Sequence, residues 1–155
     1  MSLKRVGKYK IIESSKLIVE YYSGTIIVDD FLSFKDIISK ETNYNFFFNT
    51  ILDLRDSELI LTTDDLKKIN HYLEKKFNKN KDETNIRKVV YLVNTPKQAA
   101  LSFLYLTSAK KVKMNQMVFS TVDALVKWFN MMSNEEKLVT STLKQLKIEP
   151  SNIFK

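Results

Sequence analysis

The chain has 155 residues, of which 44% are hydrophobic, 28% charged and 12% aromatic, with a formal net charge of +7. That balance suits one globular domain with its own core and excludes wholesale disorder or collagen-like and mucin-like repeats. With no Cys, one His and two Gly, the chain lacks a disulfide framework, a thiolate zinc site, a cysteine nucleophile, a paired-imidazole site and a glycine-rich phosphate loop.

Residues 1–8 read as a leader. Lys10 to Ser15 and Leu17 to Ser23 are rich in Ile, Val and Tyr around a short polar break, which predicts an opening β-hairpin. Asp29 and Asp30 then precede Phe31, Leu32, Phe34, Ile37 and Ile38, a helical stripe. Phe46-Phe47-Phe48 reads as an aromatic plug in a loop. Thr50-Ile51-Leu52-Asp53-Leu54 has the continuous apolar character of a strand buried on both faces. Thr62 and Asp65 resemble a capping box, with Asp in place of Glu, opening a helix that carries Leu66, Ile69, Leu73 and Phe77. Lys88 to Val93 is the clearest strand, and Thr95-Pro96 supplies a cap and an N1 proline for a third helix. That helix is apolar nearly all round and is therefore expected to be deeply buried.

Met114 to Ser120 reads as the last strand, and Ser120 or Thr121 caps a helix bearing Ala124, Leu125, Trp128 and Phe129. Residues 132–155 form a tail whose Leu138, Val139, Thr142, Leu143 and Leu146 share one helical face. The order predicts an α/β fold: a mainly parallel sheet with an antiparallel N-terminal edge strand, right-handed crossovers, and a C-terminal helix. Leu52, Leu54, Val90, Leu92, Phe119 and Trp128 are expected in one core.

The positive charge is almost entirely Lys, with only Arg5, Arg55 and Arg87 able to offer a planar guanidinium fork. Nucleic acid is therefore a weak expectation as partner. The densest basic run, Lys75 to Lys81, falls at a predicted helix end, where the dipole favours cations. No apolar stretch reaches the ~20 residues a bilayer core requires, and no apolar signal core opens the chain, so a cytoplasmic location is the expectation.

Three strand segments and one closing phrase carry a family resemblance. They are Leu17 to Ile26, Ile51 to Arg55, Arg87 to Val93, and Val118-Phe119-Ser120-Thr121-Val122-Asp123-Ala124-Leu125-Val126-Lys127-Trp128-Phe129. Over residues 9–131 the chain resembles the SpoIIAA-like, or STAS-like, family of small bacterial proteins. The resemblance implies the β/α superhelical fold shared by anti-sigma-factor antagonists and the CRAL-TRIO lipid-carrier domain. It also implies a non-catalytic regulatory or protein-interaction role, with no cofactor. Anti-sigma antagonists switch partners through a phosphorylated Ser or Thr before the helix that follows the central strand. Here that region is Leu61-Thr62-Thr63-Asp64, which makes Thr62 and Thr63 the candidate phosphoacceptors. Leu61 stands where the family has an acidic residue, and the Ser-Gly that usually follows is missing, which weakens the phosphoswitch. Asp64 and Asp65 would also repel a phosphate placed there.

Two further constellations bear on ligands. Asp53 and Arg55 stand at the carboxyl end of the central strand, the edge where open α/β sheets bind ligands, and they form a candidate polar site unless they neutralise one another. Tyr21, Tyr22, Phe103, Tyr105 and Trp128 could line a lipid cavity or simply fill the core. The alternative function is thus a carrier of a small apolar or lipid-like ligand. His71 stands alone mid-helix, without a nucleophile motif, and no enzyme activity is expected. Finally, singly wound crossovers collect helices on one sheet face, leaving Ile18, Tyr22, Val89, Tyr91 and Val93 to be covered by the tail helix or, in preference, by a homodimer.

Overall fold

A computed structural model describes residues 6–79, 86–108 and 113–149. The chain opens with β1 (Gly7–Ile12), a single 3₁₀ turn (Glu13–Ser15), and β2 (Leu17–Ile26), which returns antiparallel to β1. Lys16 closes that turn in the left-handed region at φ 49°. Gly7 is required where it stands, because a Cβ there would come within 2.4 Å of the Tyr21 carbonyl oxygen. Three crossover units follow: α1 (Val28–Ser39) and β3 (Asn49–Leu59), α2 (Thr63–Lys79) and β4 (Arg87–Leu92), α3 (Pro96–Ser108) and β5 (Met114–Phe119). The sheet order is β1-β2-β3-β4-β5, with every pair after the first parallel. The predicted α/β class and the antiparallel edge strand are therefore present.

Local signals place the helices as expected. The Thr62 amide donates to Asp65 Oδ2 at 2.9 Å while the Asp65 amide donates to Thr62 Oγ1 at 3.2 Å, a reciprocal box in which Asp does the work of Glu. Thr95 and Gln98 make the same exchange at the start of α3, each at 3.2 Å. Thr121 Oγ1 accepts from the Ala124 amide at the start of α4 (Val122–Phe129), and Asn130, at φ 57°, turns the chain toward α5 (Ser133–Ile148). The basic run ends α2 at Lys79, and its last two residues lie outside the described residues.

Each strand alternates between two cores. Ile18, Tyr22, Leu52, Leu54, Val89 and Tyr91 face α1, α2 and α3, whereas Val19, Tyr21, Ile51, Val90 and Leu92 face α4 and α5. Several expectations need correcting. The core is not single: Leu52 and Leu54 belong to the first face, while Val90, Leu92, Phe119 and Trp128 belong to the second. Three crossover helices do collect on one face, but Ile18, Tyr22, Val89, Tyr91 and Val93 are the residues they cover. The face left over is the opposite parity, and α4 and α5 of the same chain cover it, with Val139, Leu143 and Leu146 buried there. Cover by a second copy is not needed on either face. Lys8 of β1 seats the end of α5, its ammonium donating to the Leu146 carbonyl at 2.8 Å and also to that of Glu149.

Helix α3 also departs from expectation. Phe103 and Leu104 are about half exposed, at 51% and 48%, and the residues it buries are Gln98, Ser102 and Tyr105. Gln98 explains part of this inversion. Its amide nitrogen donates to the Leu54 and Ser57 carbonyls, both at 2.8 Å, satisfying backbone where β3 outruns its pairing with β4.

Candidate functional site

Between the sheet and α1–α3 lies a cavity of about 70 Å³. Its apolar wall comprises Leu52, Leu54 and Val89 of the sheet together with Leu66, Ile69 and Leu101 of the helices. Polar contacts at the helix margins hold this layer together. Tyr72 of α2 donates to Asp36 of α1 at 2.9 Å, and Asn70 of α2 donates to Ser108 of α3 at 3.0 Å. A packed interior normally has few voids larger than a water molecule. A space this size among leucines is therefore a feature to be explained.

One end of the cavity is charged. Lys35 and Arg87 both line it, and both also line a second, smaller hollow beside Glu20, Tyr44 and Phe46. Glu20 sits in an otherwise apolar strand, 1% exposed, where an unpaired carboxylate would be prohibitively costly. Its Oε1 takes the Lys35 ammonium at 2.5 Å and its Oε2 accepts the Tyr22 hydroxyl at 2.5 Å. Burial pulls the Lys35 pKa below its ordinary value, an effect Glu20 opposes and Arg87 adds to. Tyr22 is pushed well above its ordinary value by burial and then by Glu20.

Arg87, 6% exposed, donates from Nη2 to Thr50 Oγ1 at 2.8 Å and lies over the Phe46 ring at 5.1 Å. Phe46 is thus the buried member of the aromatic plug and a platform for a cation. No Asp or Glu among the described residues forms an ion pair with Arg87, and its Nε, shielded from water, has no hydrogen-bond partner. Tyr105, also 6% exposed and lining the cavity, has an equally unpartnered hydroxyl. Its pKa is raised by burial, against which the Arg87 charge works.

The residues singled out from sequence lie elsewhere. Asp53 and Arg55 do come together: Arg55 Nε and Nη2 donate to the two Asp53 carboxylate oxygens at 2.9 and 2.8 Å, and the Arg55 amide adds a bond at 3.2 Å. Each satisfies the other, and the hydrogen bond to Asp53 raises the Arg55 pKa. Beside them Asp56 accepts the Tyr21 hydroxyl at 2.8 Å and pairs with Lys147 of α5 at 3.2 Å, tying the tail helix down. Thr62 is occupied as a cap, and Thr63 is exposed at the first position of α2, directly before Asp64 and Asp65. Of the five aromatic residues weighed as a cavity lining, only Tyr105 lines it. Tyr22 is core on the same face, Tyr21 and Trp128 belong to the opposite face, and Phe103 is exposed. His71 is exposed on α2.

Sequence reasoning missed Glu20, Lys35 and Arg87 as a group. The available signal was Glu20, a lone carboxylate inside Leu17 to Tyr22, which demands a cation from elsewhere in the fold. Among the described residues, no group of three or more His, Asp or Glu could hold a metal ion, and no helix is long and apolar enough to cross a membrane. No protein-family model and no curated protein matches the chain.

Proposed function

We propose that the protein is a non-catalytic binding domain that takes a small apolar molecule into the cavity between the sheet and α1–α3. The single observation that carries this reading is the cavity itself, about 70 Å³ walled mostly by aliphatic side chains. Mostly apolar cavities with a few polar groups are suited to apolar guests. Counting ~10–15 Å³ for each water-sized group, the space accommodates roughly five to seven of them, and because the cavity is partly open the remaining few atoms of an eight-carbon chain extend beyond it. A direct test is calorimetric titration with 1-octanol. Binding to the wild type is expected, and its loss in Leu73→Trp, which fills the cavity from its half-buried edge. A wild-type protein that takes up neither 1-octanol nor any other apolar probe overturns the reading.

A regulatory role through a protein partner, implied by the resemblance to anti-sigma antagonists, is the second reading. Phe103 and Leu104 favour it, being exposed on the same helix that turns Ser102 and Tyr105 toward the cavity. If α3 serves both tasks, replacing Phe103 and Leu104 together by Ser leaves 1-octanol uptake intact while ending partner capture.

A further inference from the structure

The charges at the polar end of the cavity do not balance. Lys35 and Arg87 bring two cations and Glu20 one carboxylate, so the buried group carries one positive charge in excess among the described residues. A buried charge without a counter-charge is among the most costly features a fold can retain. Two buried donors add to the cost, since Arg87 Nε and the Tyr105 hydroxyl have no acceptor in the free protein. Arg87, Lys35 and Tyr105 line the same cavity, and Glu20 lines the adjoining hollow with Lys35 and Arg87.

We infer that the natural occupant of the cavity is a monoanionic amphiphile, a short- to medium-chain aliphatic carboxylate, with its tail among Leu52, Leu54, Leu66 and Ile69 and its head at Arg87. A carboxylate supplies what is missing: one negative charge, and acceptor oxygens for the Arg87 Nε–H and the Tyr105 O–H. Arg suits a carboxylate through its planar fork. The ammonium of Lys35 stays with Glu20 and leaves Arg87 as the cation in need of a partner. Both free donors are shielded when the cavity is empty, so the head enters with side-chain rotation at Arg87 and Tyr105. This inference rests on the apolar-ligand reading and adds the chemical class of the head group.

The test compares three probes with one tail, octanoate, 1-octanol and octylammonium, titrated calorimetrically into the wild-type protein. Octanoate is expected to bind about tenfold or more tighter than 1-octanol, the difference a charge-assisted hydrogen bond makes, and octylammonium is expected to bind weakest. Equal affinity for octanoate and 1-octanol overturns the inference but leaves the apolar-ligand reading standing. Absence of binding by all three overturns both. Tighter binding of octylammonium reverses the sign and also overturns the inference. Arg87→Met should erase the preference for octanoate while keeping 1-octanol binding. Should that variant fail to fold, Tyr105→Phe decides, because it removes a hydroxyl that has no partner in the free protein. Its melting temperature should be unchanged or higher, with octanoate affinity several-fold weaker and 1-octanol affinity unaltered. A Tyr105→Phe protein that binds octanoate as well as the wild type overturns the head-group assignment.

Discussion

On one side of the sheet, Val19, Ile51, Val90 and Leu92 meet Leu125, Val139 and Leu143 in an interior where none of these residues is more than 3% exposed. On the other side, three helices arch over Leu52, Leu54 and Val89 and leave a cavity with a charged end. The same strands build both faces, so the difference lies in what covers them. The polar pairs beside the α4–α5 face are saturated: Asp53 holds Arg55 through both oxygens, and Asp56 holds Tyr21 and Lys147. Among the described residues the α4–α5 face keeps one unpartnered polar atom, Thr142 Oγ1 of α5, and the α1–α3 side keeps Asn70 Oδ1, Arg87 Nε and the Tyr105 hydroxyl, the last two at residues that line the cavity. What sets the α1–α3 face apart is that its unpartnered groups include a charged one and border an empty space, where a ligand would complete them.

The largest expected effect separating the faces comes from removing the cover of the first. Ending the chain at Met132 strips Val139, Leu143 and Leu146 from the core and exposes Val19, Tyr21 and Ile51. The expected outcome is loss of the folded monomer, seen as aggregation by light scattering. A soluble monomer with a cooperative melt would show that α5 contributes little.

Point substitutions sharpen the contrast. Leu92→Ala, at a fully buried position, should cost about 3–4 kcal/mol in urea unfolding, because the close-packed wall cannot collapse into the new space. Leu52→Ala only enlarges a void that already exists, and should cost about 2 kcal/mol, the low end for such a truncation. Equal costs would mean that the cavity is filled by side-chain motion in solution.

At the margin of the cavity face, Thr62→Ala breaks one half of the box that starts α2 and should cost about 0.5–2 kcal/mol. Thr62→Asp should be nearly neutral, since Asp caps well. A large destabilisation by Asp would point to a role for Thr62 beyond capping. Asp65, whose carboxyl is held below its ordinary pKa by the Thr62 amide, adds stability present near neutrality and lost as pH falls through its folded value.

The smallest effect near neutral pH, and the most diagnostic at high pH, involves the tyrosines. Tyr22, Tyr44, Tyr72, Tyr91 and Tyr105 on the α1–α3 side, and Tyr21 on the other, are all held above their ordinary pKa, chiefly by burial. The unfolded chain releases these protons near pH ~10, before the folded protein does. Stability is therefore intact below that pH and falls as pH rises beyond it toward the folded values. The depressed Lys35 pKa acts in the opposite sense over the range just below its unfolded value, and one such group does not offset six tyrosines. Tyrosinate absorbance should rise together with loss of circular dichroism. Titration of most tyrosines in a protein still folded would contradict their burial.

The existence and order of the strands and helices, and the starts of α2, α3 and α4, were legible in the sequence because their causes are local, whereas β1 begins at Gly7, within the span read as a leader, and β3 runs on to Leu59, past the Leu54 at which the strand was read to end. The Thr62–Asp65 and Thr95–Gln98 exchanges occur within four residues, and the crossover order follows from chain handedness. Asp53 and Arg55 were legible as a pair, since residues two apart on a strand share a side. The face each strand turns to the crossover helices was not legible. Apart from Glu20, Leu17 to Tyr22 and Val89 to Val93 are apolar at both parities, so alternation carries no clear sign and only the packed sheet assigns it. The burial of α3 was misread for a related reason: all-round apolarity does not say which side docks, and the Leu54 and Ser57 carbonyls drew Gln98 inward, leaving Phe103 and Leu104 outside. Glu20, Lys35 and Arg87 come from β2, α1 and β4, and the cavity is a mismatch in volume between a sheet and three helices. By itself the sequence determined the elements, their order and their caps. The side on which each strand works, and the charged space beneath the helices, were decided by tertiary packing, because shape and charge balance at distant positions exist only once the chain has closed.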